Sequence, residues 1–278
     1  MKHPTAHLPQ LSPQSELIDT HCHLDMEAYR SDLGTVIQSA VQFGIKRIIT
    51  IGIDDNSSRQ AVTIAEQYAN IYATVGIHPH DALKATTKVL EELTELTQNK
   101  SVVGYGEIGL DYAKNYAPRD VQIKAFREQL YLAKELNLPV VIHDREAHED
   151  TLNLIRSTGH LPRGGVMHCF SGDSRLAHEM IALGFHISIP GVATFNNAYL
   201  LHEVIRVVDL QYLLLETDGP FLAPVPYRGK RNEPKLLLYT AQRIADLKQI
   251  SVDEVARATT ANAVRLFRLP GNTNHDLR

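Results

Sequence analysis

Residues 17–23 read Leu-Ile-Asp-Thr-His-Cys-His, an apolar strand pattern that ends in two histidines separated by one residue. Further short apolar and β-branched runs alternate with amphipathic patterns along the chain, which is typical of βα units. The eight predicted strands cover residues 17–22, 47–52, 71–76, 101–107, 139–143, 165–170, 185–189 and 212–217. We therefore predict an α/β protein that forms a single-domain (β/α)8 TIM barrel.

The length of 278 residues allows one large domain or two ordinary ones. No linker separates the βα units, because the Pro-rich residues 220–226 are few and directly follow the eighth predicted strand. Eight units across about 250 residues match the usual barrel size. A doubly wound open sheet is the competing architecture, but it normally has fewer strands and a Gly-rich first turn, which this sequence lacks.

The predicted barrel domain covers residues 16–270. Residues 1–15 are predicted to form a flexible N-terminal extension, and residues 271–278 a C-terminal tail. Asp120 is the predicted N-cap of one helix. Ser251 and Glu254 predict a capping box for the last helix, which runs to about residue 267.

The composition, with 44% hydrophobic residues, is that of a globular protein with a real core. No stretch approaches the roughly 20 apolar residues of a membrane span, and the start lacks the apolar run of a secretory signal. Two cysteines are too few for a disulfide framework. We therefore expect a cytoplasmic monomer with no membrane partner. Because the net charge is −4, a phosphate-bearing substrate would need a local positive feature.

Histidines and acids lie at the predicted carboxyl ends of the strands, where barrel enzymes carry their catalytic groups. His21 and His23 end the first strand, and side-chain alternation points them the same way while Cys22 points the opposite way. Two imidazoles in this relation can bind one cation. Alone, the pattern fits a pair of surface or core histidines equally well.

Glu107 ends the fourth predicted strand among glycines, a place that packing explains poorly, and its two oxygens could bridge two cations. A buried acid paired with a base is the alternative. His143 and His168 each close an apolar run, where either alone would more often be a core histidine. Their equivalent places in successive units favour metal binding.

The eighth predicted strand ends in two further acids, Glu216 and Asp218. Asp218 lies at the predicted mouth, where it can bind the first cation and accept a proton from bound water. Glu216 lies one pleat lower on the same face, and either orients a metal-binding histidine or forms a structural salt bridge.

These strand ends predict two divalent cations. The first would be bound by His21, His23, Glu107 and Asp218, and the second by Glu107, His143 and His168. Two cations about 3.5–4 Å apart can activate a water molecule and polarise a phosphoryl or carbonyl group. The mixed nitrogen and oxygen ligands admit Zn, Mn, Fe or Co, and Mg less comfortably, so the identity of the metal stays open.

Seven motifs, in family order from about residue 17 to 269, resemble the TatD-type metal-dependent hydrolases within the amidohydrolase-like barrels. They are DTHCHLD (19–25), GIHPH (76–80), GEIGLDY (106–112), VIHDREA (141–147), MHCFSG (167–172), ETDGPFLAP (216–224) and RGKRNEP (228–234). Gly219 stands where many members carry serine, and Asp144 where small polar residues are frequent. The first 15 residues have no counterpart.

The resemblance implies a divalent-metal deoxyribonuclease of the exonuclease type, acting on DNA ends or single strands. The family's metal positions fall on the six residues named above: His21, His23, Glu107, His143, His168 and Asp218. His78 matches a histidine that contacts the scissile phosphate. Its alternative is a loop histidine that Pro79 places.

Phosphodiester hydrolysis is the favoured function, with Asp218, His78 and Glu107 as the catalytic residues. Asp218 would take the proton of the attacking water. Beside His78, substrate binding would fall to the cationic loop formed by Arg228, Lys230 and Arg231. A solvated charge run is the alternative for this loop.

Two rival functions stay open. A hydrolase on the same barrel could cleave an amide, ester or lactone, although the branch that bridges its metals with a carboxylated lysine is disfavoured. Glu107 occupies that place, and Lys100 lies at the wrong end of the strand. A non-catalytic module is the other rival, either a metal store or sensor, or a helix-turn-helix at residues 251–267. The latter segment lacks a glycine turn. His80, near the mouth, is predicted to pair with Asp81.

Overall fold

Eight parallel strands form one sheet, and their order in space follows their order in the chain. The computed structural model of the protein describes residues 8–270. Its strands are β1 (Leu17–Cys22), β2 (Ile45–Ile51), β3 (Ile71–Val75), β4 (Val102–Asp111), β5 (Val140–Arg145), β6 (Gly165–Met167), β7 (Phe185–Ile189) and β8 (Leu213–Leu215). Because β1 also contacts β8, the sheet is a nearly closed barrel, and the predicted fold is confirmed.

Helices connect the strands on the outside of the barrel. They are α1 (Leu33–Gln42), α2 (Asp55–Gln67), α3 (Thr87–Leu96), α4 (Arg119–Glu135), α5 (His148–Thr158), α6 (Ser174–Ala182), α7 (Tyr199–Val207), α8 (Leu237–Lys248) and α9 (Val252–Phe267). Among residues 8–270, no helix combines the length and the apolar character needed to cross a membrane.

Alternate strand residues divide between two apolar clusters, as the period of two residues in a strand requires. One cluster lies between strands and helices and contains neighbours such as Leu17, Val140 and Leu213. The other cluster contains the second residues of several strands, Ile18, Val103, Val141, Val166 and Leu214, together with Leu266 and Phe267 of α9. The last helix therefore seals the amino end of the barrel, which leaves the carboxyl end as the open mouth.

Side chains and loop backbone join β1 to β8 across the closing seam. Asp19 Oδ1 accepts the backbone N–H of Thr217 at 2.9 Å, and Asp19 Oδ2 accepts the Thr217 hydroxyl. Nearer the mouth, the N–H of Asp218 donates to His21 O at 2.9 Å, and the N–H of His23 donates to the carbonyl of Gly219 at 2.7 Å. These bonds fix both strand ends at the rim.

Of the two predicted helix N-termini, one is wrong and one is confirmed. The N-cap of α4 is Pro118, and Asp120 lies inside the first turn, so the predicted cap is wrong. A carboxylate in the first turn still interacts favourably with the helix dipole, which explains the error. The capping box of α9 is confirmed, because the Ser251 and Glu254 side chains each accept from the other's backbone N–H.

Residues 8–15 contact the barrel. The backbone N–H and the hydroxyl of Ser12 both donate to Asp253 Oδ1 at 3.0 Å, and Leu8 and Leu11 pack against the main apolar cluster. This part of the predicted extension is therefore anchored to α9. Residues 1–7 and the predicted tail, residues 271–278, lie outside the described residues.

Candidate metal centre

A cavity of about 730 Å³ opens at the carboxyl ends of the strands. Five of the six predicted metal ligands line it, and the sixth, His21, lies just beneath them, buried to 99%. The lining also includes His78 and His80 from the segment after β3, and Phe221 from the loop after β8. The barrel topology thus brings together side chains that lie nearly 200 residues apart in sequence.

Glu107 lies at the centre of this rim, and its two carboxylate oxygens face different histidines. Oε2 lies 3.3 Å from His21 Nε2 and 3.9 Å from His23 Nε2. Oε1 lies 2.9 Å from His143 Nδ1 and 3.5 Å from His168 Nε2. Each carboxylate oxygen therefore faces one of the two ligand sets that the sequence predicts, and the sets meet where the His21 and His168 rings stack with centres 3.5 Å apart.

The first set has the spacing of ligands around one cation. His21 Nε2 and His23 Nε2 lie 3.3 Å apart, and Asp218 Oδ1 lies 3.4 Å from His23 Nε2 and 3.8 Å from His21 Nε2. Four atoms bound tetrahedrally at about 2.1 Å from a zinc ion would lie about 3.4 Å from one another. The residues present fit a divalent cation.

The second set is formed by Glu107, His143 and His168, and His78 lies close to it. His78 Nε2 lies 3.4 Å from Glu107 Oε1, and the ligand atoms of His78, Glu107 and His143 lie within 4.8 Å of one another. The predicted substrate contact is thus placed directly beside the second predicted cation.

Glycines allow β4 and β5 to approach closely enough for these side chains to meet. Gly106 has a φ of +150°, and a Cβ atom there would lie 2.5 Å from the carbonyl oxygen of Val141. Gly109 has a φ of +145°, and its Cβ would lie 1.9 Å from the carbonyl oxygen of His143. Because only glycine tolerates both conditions, the glycines around Glu107 are required by the backbone.

The charges of the site favour ionised carboxylates. Burial by itself would raise the pKa of Glu107, but the surrounding histidines, His168 foremost, hold it well below its usual range. The pKa of Asp218 is also lowered, because His23 and His168 outweigh its burial. Burial lowers the pKa of His78 to about 4, so this ring is neutral at pH 7.

His168 has the opposite shift. Burial would lower its pKa, but Glu216 and Glu107 raise it to about 10. His168 Nδ1 lies 3.1 Å from Glu216 Oε1, and the same oxygen accepts the N–H of Cys169 at 2.7 Å. Glu216 therefore lies on the side of the ring opposite Glu107, a place that fits the orienting role, one of the two alternatives that the sequence leaves open.

Asp111, the last residue of β4, was not singled out from the sequence. Its Oδ2 lies 2.8 Å from His80 Nε2 and 3.2 Å from His143 Nε2. The predicted pairing of His80 with Asp81 is therefore wrong, because Asp81 instead pairs with Lys84. Every second residue of a strand lies on the same face, so residues 107, 109 and 111 share one face of β4. This spacing is the signal that could have identified Asp111.

Cys169 was also not predicted. Its Sγ belongs to a group with ligand atoms of His168 and Asp218 that lie within 4.8 Å of one another. Burial, followed by the nearby carboxylates, raises the pKa of this thiol well above its usual range.

The cationic loop lies outside the cavity lining. Arg231 donates to Asp32 at 2.9 and 2.8 Å and to Glu233 at 2.8 Å, so its charge is already paired. Arg228 is exposed, with its guanidinium carbon 4.5 Å from the centre of the Phe195 ring, and Lys230 is exposed. The structure does not bring these three residues together with the histidines.

Comparison with known proteins places this architecture among described relatives. The sequence profile of a family described as TatD related DNase matches residues 18–268. The uncharacterized metal-dependent hydrolase YabD of Bacillus subtilis (strain 168) is 44% identical over 253 residues, which cover 91% of this chain and 99% of that protein. The uncharacterized metal-dependent hydrolase YcfH of Escherichia coli (strain K12) is 35% identical over 265 residues, covering 94% and 99%.

A solved structure agrees with these sequence matches. The crystal structure of YJJV, a TatD homolog from Escherichia coli K12, superposes with a TM-score of 0.87 at 33% identity. The match covers 91% of this chain and 98% of that chain. The barrel and its histidine-rich rim are therefore those of a metal-dependent hydrolase.

Proposed function

The chain belongs to the TatD family of metal-dependent hydrolases, and from this premise we propose that it is a deoxyribonuclease with two divalent cations. Its substrate would be single-stranded DNA or DNA ends, cleaved at phosphodiester bonds. The observation that carries the proposal is the position of the Glu107 carboxylate, whose two oxygens face different histidines. One carboxylate in this position can serve two cations at once.

The first cation would be held by His21, His23, Glu107 and Asp218, and the second by Glu107, His143 and His168. Such cations lower the pKa of water and polarise phosphoryl oxygens. Asp218 Oδ1 lies at the rim and stays ionised, so it can accept the proton of the attacking water.

His78 is suited to hold a phosphate oxygen. Its Nδ1 accepts the backbone N–H of His80 at 3.1 Å, so the proton of the neutral ring lies on Nε2. Nε2 faces the second cluster, 3.4 Å from Glu107 Oε1. His78 would therefore donate a hydrogen bond to the substrate rather than supply a full charge.

Exposed aromatic rings favour a nucleic acid over a small ester or lactone. Phe221 is 50% exposed, with its ring centre 6.1 Å from that of His23, and Tyr116 is 65% exposed, with its ring centre 4.7 Å from that of His80. Unpaired bases stack on such rings. Of the cationic loop, Arg228 and Lys230 are the residues left to contact the DNA backbone, since Arg231 is engaged by Asp32 and Glu233.

The Asp218→Asn variant tests the proposal. Purified protein would be given labelled single-stranded DNA with Mn²⁺, Mg²⁺, Zn²⁺ or Co²⁺ in turn. We expect the variant to lose cleavage by about 10²–10⁴-fold or more, because a cation ligand and a proton acceptor are removed together. Circular dichroism should show an unchanged fold.

The exposed Asp246 of α8 supplies the matched control, since Asp246→Asn should cleave like the wild type. Unaltered turnover by Asp218→Asn would refute the role of Asp218. A panel of esters, amides and lactones, assayed beside DNA, covers the rival activity. Wild-type protein that cleaves one of these compounds and leaves DNA intact with every cation would overturn the proposal.

A further inference from the structure

Asp111 takes no part in the proposed reaction, yet it is completely buried and contacts a predicted metal ligand. We propose that Asp111 is a positioning residue that makes His143 offer Nδ1, instead of Nε2, to the second cation. The proposal rests on the two-cation site proposed above. Asp111 would then act through His143, on the side of the ring that faces away from Glu107.

The orientation of His143 differs from that of its neighbours. His21, His23 and His168 all point Nε2 toward Glu107. His143 instead points Nδ1 toward Glu107 Oε1, at 2.9 Å, and its Nε2 lies 3.2 Å from Asp111 Oδ2. The imidazole thus lies between two carboxylates, one at the cation position and one behind it.

The geometry determines which nitrogen of the His143 ring carries the proton. A neutral histidine carries one N–H and one lone pair, and an ionised carboxylate can only accept. The Asp111 carboxylate is placed to accept, because Oδ2 lies 3.2 Å from His143 Nε2 while Oδ1 accepts the backbone N–H of Lys114. The proton of His143 is therefore held on Nε2, which leaves the lone pair of Nδ1 for a cation.

Asp111 is itself held in place from several sides. Its Oδ1 accepts the backbone N–H of Lys114 at 2.8 Å. The buried Gln122 accepts the Asp111 N–H at 2.8 Å and donates to the carbonyls of Asp111 and Ala117. His80 Nε2 adds a second contact to Oδ2 at 2.8 Å. The carboxylate has little freedom to turn away from His143.

The Asp111→Asn variant separates positioning from simple packing. Asparagine has the same shape, and its oxygen can keep the bond from the Lys114 N–H. Its amide group would then face His143 Nε2 as a donor, which favours a proton on Nδ1 and closes that atom to a cation. Cation-free protein would be titrated with zinc in a calorimeter, and the affinity of the second site should fall by about 10–100-fold. The first site should bind as in the wild type.

Asp150→Asn is the matched control, because it makes the same substitution at an exposed residue of α5 that does not line the cavity. We expect wild-type affinity at both sites. In a double-mutant cycle, Asp111→Asn should cost nothing further in a His143→Ala background. In the zinc-loaded wild type, NMR of the ring nitrogens should show the His143 proton on Nε2.

Each outcome decides the matter. Selective weakening of one site supports the proposal, whereas two sites of wild-type affinity, or equal loss of both, would overturn it. A wild type that binds a single zinc ion also contradicts it. If the wild type binds two zinc ions but cleaves no DNA, the deoxyribonuclease proposal fails and the role of Asp111 stands.

Discussion

Phe221 is the side chain on which the proposed preference for DNA can be tested. It lies beside His23, and half of its apolar surface is in contact with solvent. An unpaired base stacked on an aromatic ring is stabilised by about 1–3 kcal/mol. In the proposed deoxyribonuclease, the ring would stack on a base near the cleaved bond.

Replacing Phe221 with alanine should raise the KM for a single-stranded oligonucleotide by about 5–150-fold, because that stacking energy is lost. The kcat should change little, since no predicted metal ligand is replaced. Steady-state kinetics with oligonucleotides checks this. Tyr199→Ala is the control, because Tyr199 is 75% exposed on α7, outside the cavity lining. Equal KM values for the two variants would count against stacking at Phe221.

Single residues also mark where the sequence is insufficient. His21 and His23 could be assigned to one face, because alternation along a strand is a local property. Asp111 could not be paired with His80 and His143, since that contact joins three separate segments. In the same way, the charge of Arg231 was predicted to meet substrate, but Asp32, 199 residues away in the chain, binds it.

At the scale of elements, β4 is the strand on which the site depends. It supplies Glu107 and Asp111, and it pairs with β5 so that Gly109 lies opposite His143. The observed strand extends to Asp111, beyond the predicted end at residue 107. Glycines are poor strand formers, so sequence patterns end the strand too early. In the folded protein, these glycines instead let the backbone of β5 lie close to β4.

Gly109→Ala should destabilise the protein by about 2 kcal/mol or more, because the new Cβ would overlap the carbonyl oxygen of His143 at a φ of +145°. Urea unfolding of the cation-free protein measures the loss. Gly34→Ala, in α1, is the control, since its Cβ meets only the Tyr68 hydroxyl at 3.5 Å. That change should be neutral or stabilising by up to about 1 kcal/mol. Equal stability of both variants would refute the steric argument.

At the scale of the whole molecule, the barrel collects the six predicted ligands from the ends of five different strands. Folding brings His143 and His168 beside carboxylates that raise their pKa values, in the case of His168 to about 10. Without cations, a proton therefore occupies the His168 ring at neutral pH. A cation must displace this proton, so its apparent affinity should increase with pH.

Removal of divalent cations by a chelator should therefore lower the Tm, and the loss should be larger at pH 8 than at pH 6. A cation at about 100 times its Kd stabilises the fold by about 3 kcal/mol, and the Kd falls as proton competition weakens. Differential scanning calorimetry with and without EDTA measures both effects. Glu107→Gln, which removes the shared ligand, should abolish most of the difference. A Tm that EDTA leaves unchanged at both pH values would contradict cation binding at this rim.

The sequence by itself determined the eight-stranded barrel, the capping box of α9 and the convergence of six histidines and carboxylates at one rim. These depend on alternation along a strand, on helix-end chemistry and on the rule that parallel strands present their carboxyl ends at one edge. Such signals are local or topological, so the residues carry them before the chain folds.

Only the tertiary structure decided which oxygen of Glu107 faces which histidine, that Asp111 joins His143 to His80, and that Arg231 is paired away from the mouth. Each of these contacts joins side chains from separate elements. Their distances follow from strand register and from the close approach of β4 to β5, which no single segment encodes.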